Sequence, residues 1–497
     1  MSDAVVVIGA GIGGLSAAVN LAAGGQRVVV LEAAAGPGGK AGVEVVDGVE
    51  VDTGPSVLTL PDVFDRIFRR AGTSLTEQVG LRQPTPAFRY HYPDGVVLDV
   101  ERTPEDTLAS VKAALGADPA RELAGFLDHA RRIWDAGAPN FVYGPAPSMG
   151  SLLRMGVTRF SALRQIDGLR SMWSAITKQV RSSHLQWLLA RYATYNGSDV
   201  TSAPATLSCI AWVELGLGGF GVEGGIHALV RALERVALGL GVELRYDTPV
   251  TGLRVERGAV RAIETASGAV PARAVVCNAD VAQLAQDLLP PMHRRALSAP
   301  STPSMSGYTA VYRARRPAVP RPAHAVLFPT DYLEEFTDIF RRDRAPRDPT
   351  VYLCAQEPCH GRPGWPGAEP LFVMANAPAE PATGPRPREE HEVLAETVRR
   401  RLLQADLLEE ADPRVWSRTP TELAARFPGS RGAIYGAASN STFAAFGRPP
   451  NRVGAVPGLY LASGSAHPGG GLPLCALSGL AAADACLEDL GPARRWA

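Results

Sequence analysis

Ala4-Val5-Val6-Val7-Ile8-Gly9-Ala10-Gly11-Ile12-Gly13-Gly14 is the stretch whose reading decides the fold. The continuous run Ala4 to Ile8 predicts a strand buried on both faces. Leu15, Ala18, Val19 and Ala22 then recur at helical spacing, and Gly24-Gly25 ends that helix. A second apolar strand, Arg27 to Leu31, ends at Glu32. Strand, glycine turn, helix, strand and acid in this order form a dinucleotide-binding fingerprint. Gly9 permits the tight turn. Gly11, with Gly13 in the same turn, lets backbone amides approach a pyrophosphate. Gly14 lets the helix pack close to the sheet, and its N-terminus faces the phosphates. Glu32 is placed to accept from ribose hydroxyls. The competing reading is a glycine-rich βαβ turn that binds nothing.

The fingerprint does not choose between FAD and NAD. Ala35-Gly36-Pro37-Gly38-Gly39-Lys40-Ala41-Gly42 follows within a few residues, and Val51-Asp52-Thr53-Gly54-Pro55-Ser56 comes next. Here the sequence resembles the glutathione-reductase-like flavoproteins, in their amine-oxidase and carotenoid-desaturase branch. The resemblance implies FAD as cofactor. It implies that Gly38, Gly39 and Lys40 line the FAD phosphates and ribityl chain, and that Gly54, Pro55 and Ser56 run beside the flavin. The fold implied is α/β, with an α+β substrate part. A split Rossmann-like FAD domain carries an inserted substrate domain and a helical subdomain that associates with membranes.

Further along, Ile226 to Leu240 reads as a helix and Val242 to Tyr246 as a strand. Pro249 to Val255, Ala259 to Thr265 and Ala269 to Asn278 read as three more strands. By resemblance Val250 touches the adenine through its backbone. Gly216-Leu217-Gly218-Gly219-Phe220-Gly221 also matches GxGxxG, and a true second site would make the protein an NAD(P)H-dependent flavin reductase. Ala211 to Leu215, carrying Trp212 and Glu214, is a poor buried strand, which disfavours that site. Near the C-terminus, Gly458 to Ala462 reads as a short strand and Ser463 to Pro473 as a glycine-rich turn. A helix follows from about Leu474 to Leu487. This segment resembles the carotenoid-desaturase flavin motif, which implies that Gly464, His467 and Leu472 bind the cofactor. His467 is either a functional group near the isoalloxazine or a residue that shapes the turn.

The chain has 497 residues, with 50 Lys and Arg balanced by 50 Asp and Glu. Zero net charge argues against nucleic acid as a partner. The length suggests several structural units. They are expected at 1–85, 201–295 and 446–497 (FAD binding), 86–200 (substrate-binding and helical, membrane-facing) and 296–445 (substrate). The six cysteines show no regular spacing and read as reduced thiols. Cys354, Cys359 and His360 fit no common zinc pattern and no second pair completes a set, so no metal is expected. No secretory signal or membrane span is read.

Residues Ser151 to Arg191 are basic: Arg154, Arg159, Arg164, Arg170, Lys178, Arg181 and Arg191 stand against Asp167 alone. Ile166, Leu169, Trp173, Ile176 and Val180 fall at helical spacing. The stretch reads either as a membrane-surface element or as a helical subdomain with a solvated basic face. No Ser-His-Asp set or paired catalytic carboxylates stand out, and no residue is singled out as catalytic.

The strongest resemblance is to bacterial carotenoid (phytoene-type) desaturases. Tyr332 to Phe340 with Asp348 to Gln356 looks like the branch acting on 1-hydroxycarotenoids at the 3,4 bond. The resemblance implies a carotenoid substrate, hydride loss from a C–C bond beside the polyene to flavin N5, and departure of a proton. It also implies oxygen or a quinone as electron acceptor, and a cytoplasmic protein peripheral on the inner face of the cell membrane. Alternatives are a phytoene desaturase, a carotenoid isomerase, saturase or ketolase, an amine oxidase, or a non-enzymatic prenyl-binding protein. No aromatic pair of the kind that frames the flavin in amine oxidases is placed.

Overall fold

The computed structural model describes residues 4–147, 166–297, 302–441 and 447–491. Ala4–Ile8 and Arg27–Leu31 form parallel neighbours, with Val6 opposite Val29. Ala274–Cys277 adds on the other side of Ala4–Ile8, Leu459–Leu461 beyond it, and Glu243–Arg245 flanks Arg27–Leu31. The result is a five-stranded parallel sheet drawn from three distant parts of the chain.

Both faces of this sheet are covered, as its uninterrupted apolar strands require. Val5 and Val7 pack with Leu15, Leu229, Leu233 and Leu480 from helices Ile12–Ala23, Ile226–Gly239 and Leu472–Leu490. Val6 and Val29 pack on the opposite face with Leu253 and Ile263. Those two come from an antiparallel meander of Val250–Glu256, Ala259–Thr265 and Gly268–Pro271.

The second sheet has seven strands. Their order is Arg414–Arg418, Ser306–Arg315, Ala368–Ala377, Val351–Ala355, His324–Leu327, Phe88–His91 and Val97–Val100. Helix Arg388–Gln404 covers one face through Leu394, Val398 and Leu402, which meet Leu353 and Val373. Tyr352, Cys354 and Phe372 point to the other face, towards Val51.

Several expectations change. The predicted strand Ala269 to Asn278 is two strands in different sheets: Pro271 ends the meander, and the Arg273 amide already donates to Ala4 O at 2.9 Å. Residues 88–100, within the 86–200 unit, form the edge of the second sheet. The C-terminal helix starts earlier, at Leu472, because Gly471 with φ of 107° turns the chain and Pro473 suits a first turn. The charge-rich helix Arg388–Gln404 still buries one apolar stripe.

The basic stretch is described in part. Arg154, Arg159 and Arg164 lie outside the described residues. The rest forms two short helices, Met172–Gln179 and Ser183–Ala190. Ile176 and Val180 face the protein core, so their spacing serves internal packing. Arg191 is buried and cannot meet a headgroup, and Arg170 is bonded to Asp167. Leu169, 97% exposed, is the one member of the apolar series left in solvent. Among the described residues no helix is long and apolar enough to cross a membrane.

Candidate functional site

The glycine turn is built by close backbone approach. Gly9 has φ of 92° and donates its amide to Leu31 O at 2.8 Å. A Cβ at Gly14 would stand 2.0 Å from Gly9 O, and one at Gly13 would stand 2.1 Å from Ala462 O. A Cβ at Gly11 would meet Asn278 Oδ1 at 2.6 Å. Helix Ile12–Ala23 has no side-chain N-cap and no acid in its first turn. Its N-terminal partial charge is therefore available to an anion. The Gly38 amide donates to Ala10 O at 2.9 Å, which lays the second glycine segment beside the first.

Glu32 closes the other side. Its Oε2 accepts from the Ala10 amide at 2.6 Å and its Oε1 from the Ala34 amide at 2.8 Å. The Thr248 amide donates to Glu32 O at 2.8 Å, so the chain leading into half-buried Val250 runs beside this acid.

Lys40 Nζ donates to Ala433 O at 2.7 Å and lies 5.5 Å from the centre of the Phe427 ring. Burial draws its ammonium down from the usual lysine value, against Asp280 and Cys475. A Cβ at Gly54 would stand 2.2 Å from Lys40 O, so Lys40 and the Gly54-Pro55-Ser56 turn are locked together. Asp52 Oδ2 accepts from the Ile226 amide at 2.7 Å and caps that helix, while Arg362 Nη1 donates to Oδ1 at 3.2 Å.

At the C-terminal turn, Gly464 O accepts from Arg448 Nη1 at 3.1 Å, and buried Leu472 opens the last helix. That helix also lacks a side-chain cap. His467 is buried. Its amide donates to Pro449 O at 3.0 Å, and its Nε2 lies 3.0 Å from Gly144 O. Its imidazole thus ties the turn to the neighbouring chain.

The sequence-predicted glycines, Glu32, Lys40 and the C-terminal turn therefore converge at one edge of the parallel sheet. Asn278, His227 and Arg448 were missed. Asn278 Nδ2 bonds Ala462 O beside Gly11, and His227 Nδ1 lies 3.0 Å from Ala41 O. Asn278, at the end of a buried apolar strand, was a readable signal. The second GxGxxG holds no dinucleotide site, since Cys209–Leu215 before it is a helix and a Cβ at Gly216 would strike the Trp212 ring at 2.2 Å.

Beyond Ser56 lies an aromatic region with one buried ionic centre. Arg191 sits among the Phe88, Tyr90, Tyr195 and Tyr352 rings. Its Nη1 donates to Tyr90 Oη at 3.0 Å, and Tyr192 Oη donates to Glu214 Oε1 at 2.9 Å. Burial pushes the Tyr192 and Tyr195 phenols well up, so they stay protonated donors.

A glycine cradle without side-chain obstruction, two uncapped helix N-termini and an acid at the end of the second strand fit FAD. The fold and site are those of an FAD-dependent oxidoreductase. The chain belongs to the flavin-containing amine oxidoreductase family, which matches residues 12–487. It resembles a hydroxyneurosporene desaturase from Rubrivivax gelatinosus at 37% identity over 502 residues, 99% of this chain and 94% of that protein. A 1-hydroxycarotenoid 3,4-desaturase from Flavobacterium sp. is 29% identical across 96% of this chain and 98% of its own. These relatives put the chain in the bacterial carotenoid desaturase branch. An oxidoreductase of known structure from Methanosarcina mazei shares the fold, with a TM-score of 0.63 at 17% identity, covering 96% of this chain and 99% of that one.

Proposed function

We propose that the protein desaturates an acyclic carotenoid, and specifically that it introduces the 3,4 double bond of a 1-hydroxycarotenoid. The observation that carries this reading is the 37% identity, over 99% of the chain, to a hydroxyneurosporene desaturase. Bound FAD supplies the two-electron hydride acceptor. Gly9, Gly11, Gly13, Gly14, Gly38, Gly39, Gly464 and Leu472 cradle it, Glu32 takes the ribose, and Val250 borders the adenine. Lys40, with Gly54, Pro55 and Ser56, orients the segment beside the reacting carbon. Phe88, Tyr90, Tyr195 and Tyr352 exclude water from the polyene, which leaves positioning as the main task of the protein. Glu214, Arg191 and the tyrosine hydroxyls offer polar partners to a substrate hydroxyl.

A lipid-dissolved substrate calls for a protein that works at the membrane surface, on its cytoplasmic face, and passes electrons to oxygen or a quinone. The test is an anaerobic spectrum of FAD-loaded protein in liposomes mixed with an acyclic 1-hydroxycarotenoid. Loss of the oxidised-flavin band together with a red-shifted carotenoid is expected. An unchanged flavin with this substrate, but bleaching with phytoene, overturns the 3,4-desaturase assignment.

A further inference from the structure

Two thiols and two imidazoles meet at the face of the second sheet that packs on Val51, outside the cofactor cradle. His324 and Cys354 are register partners on the adjacent strands His324–Leu327 and Val351–Ala355. Cys359 comes back over them from the short helix Gln356–His360 that follows Cys354. One donor atom from each of His324, Cys354 and Cys359 lies within 4.8 Å of the others, and all three residues are buried. The sequence shows the thiol pair but not its third member, because His324 arrives through strand pairing.

We propose that His324, Cys354 and Cys359 bind a thiophilic d10 cation of the zinc type. The dimensions suit it. Zinc–sulfur and zinc–nitrogen bonds of about 2.3 and 2.0 to 2.1 Å at a tetrahedral angle put sulfur and nitrogen about 3.6 Å apart. Cys359 Sγ lies 3.4 Å from His324 Nε2. The second contact of His324 is the one a ligating imidazole needs: its Nδ1 lies 2.8 Å from Tyr352 Oη, which fixes the ring and leaves Nε2 facing the sulfurs.

His360 gives an independent sign. Its side chain is 0% exposed. Its Nδ1 accepts from the Val222 amide at 3.2 Å, so the ring proton resides on Nε2, which has no hydrogen-bond partner. An N–H so placed beside Cys354 suits a metal-bound thiolate. Val51, Val311 and Phe372 enclose the cluster. Two sulfurs and an imidazole nitrogen enclosed by apolar side chains are the donor set a soft cation takes. Three protein donors leave the fourth position of the tetrahedron to a small exogenous ligand.

The test uses the full-length FAD-loaded protein, kept reduced and equilibrated with zinc chloride, then passed through gel filtration. Metal analysis should return about one zinc per chain, and X-ray absorption at the zinc edge should show sulfur at about 2.3 Å. Cys354→Ser and Cys359→Ser should each abolish retention while flavin content reports that the chain still folds. Tyr352→Phe should weaken zinc binding about 10- to 100-fold. Wild-type protein that retains no zinc while both thiols react freely overturns the site. Equal retention by wild type and both serine variants overturns it too, as does a Cys354–Cys359 disulfide that persists under reducing conditions without metal.

Discussion

Arg191 Nη1 lies 3.8 Å from Glu214 Oε1, with the two side chains 8% and 2% exposed. Both charges are out of water, and each is sustained by the other and by tyrosine hydroxyls. Removing one partner leaves the other uncompensated. Glu214→Ala should destabilise the protein by about 3–5 kcal/mol. Urea unfolding followed by tyrosine fluorescence measures it, and an unchanged midpoint would show that water reaches the pair.

Gly13 touches backbone on two sides. A Cβ on Gly479 would stand 2.2 Å from Gly13 O, just as one on Gly13 would strike Ala462 O. Gly13→Ala and Gly479→Ala should therefore push helix Leu472–Leu490 off its seat and weaken FAD binding by about tenfold or more, roughly 1.4 kcal/mol or above. Fluorescence titration of apoprotein with FAD reads this directly. Gly36→Ala meets nothing within 4 Å and serves as the silent control.

Glu32 should be needed for FAD affinity through its charge. Glu32→Gln keeps the shape, but its amide cannot accept at both ends as the carboxylate does from Ala10 and Ala34. A loss of about 1.5–3 kcal/mol of FAD binding is expected, the range for hydrogen bonds to a charged group. Retained affinity would mean that Glu32 is only a backbone brace.

Acid should destabilise the fold through buried histidines. Burial draws the His467, His129 and His91 imidazoles below the usual histidine value. The unfolded chain then binds protons that the folded chain refuses. Their contribution is complete above about pH 6.5 and is lost as pH falls through the lowered folded values. His467→Gln, which keeps a donor for Gly144 O, should flatten the fall of melting temperature below pH 6.5. A variant curve parallel to wild type would remove His467 from the account.

The parallel sheet and its cofactor edge were legible because each requirement is local. Gly9, Gly14 and Glu32 are fixed by a turn, a helix contact and a strand end within one βαβ unit. Arg448 and His324 were not, since each acquires its role through partners far away in sequence. The basic stretch stays two-sided for a related reason. Ile176 and Val180 show helical spacing whether they face lipid or core, and only their packing against Leu185 and Phe126 decides. The helix Cys209–Leu215 likewise shows that a glycine motif has meaning only with the strand that must precede it.

Leu459–Leu461 joins the parallel sheet beside Ala274–Cys277 only after five of the seven strands of the second sheet have been spelled out between them. During synthesis on the ribosome, the flavin edge therefore stays unfinished until the last strand and helix emerge. A nascent chain halted before Leu459 has the fingerprint but lacks Ala462 and Gly464, which close it. The cofactor edge is complete only once Leu459–Leu461 and the helix Leu472–Leu490 have emerged, and quality control that acts earlier meets a chain still without cofactor.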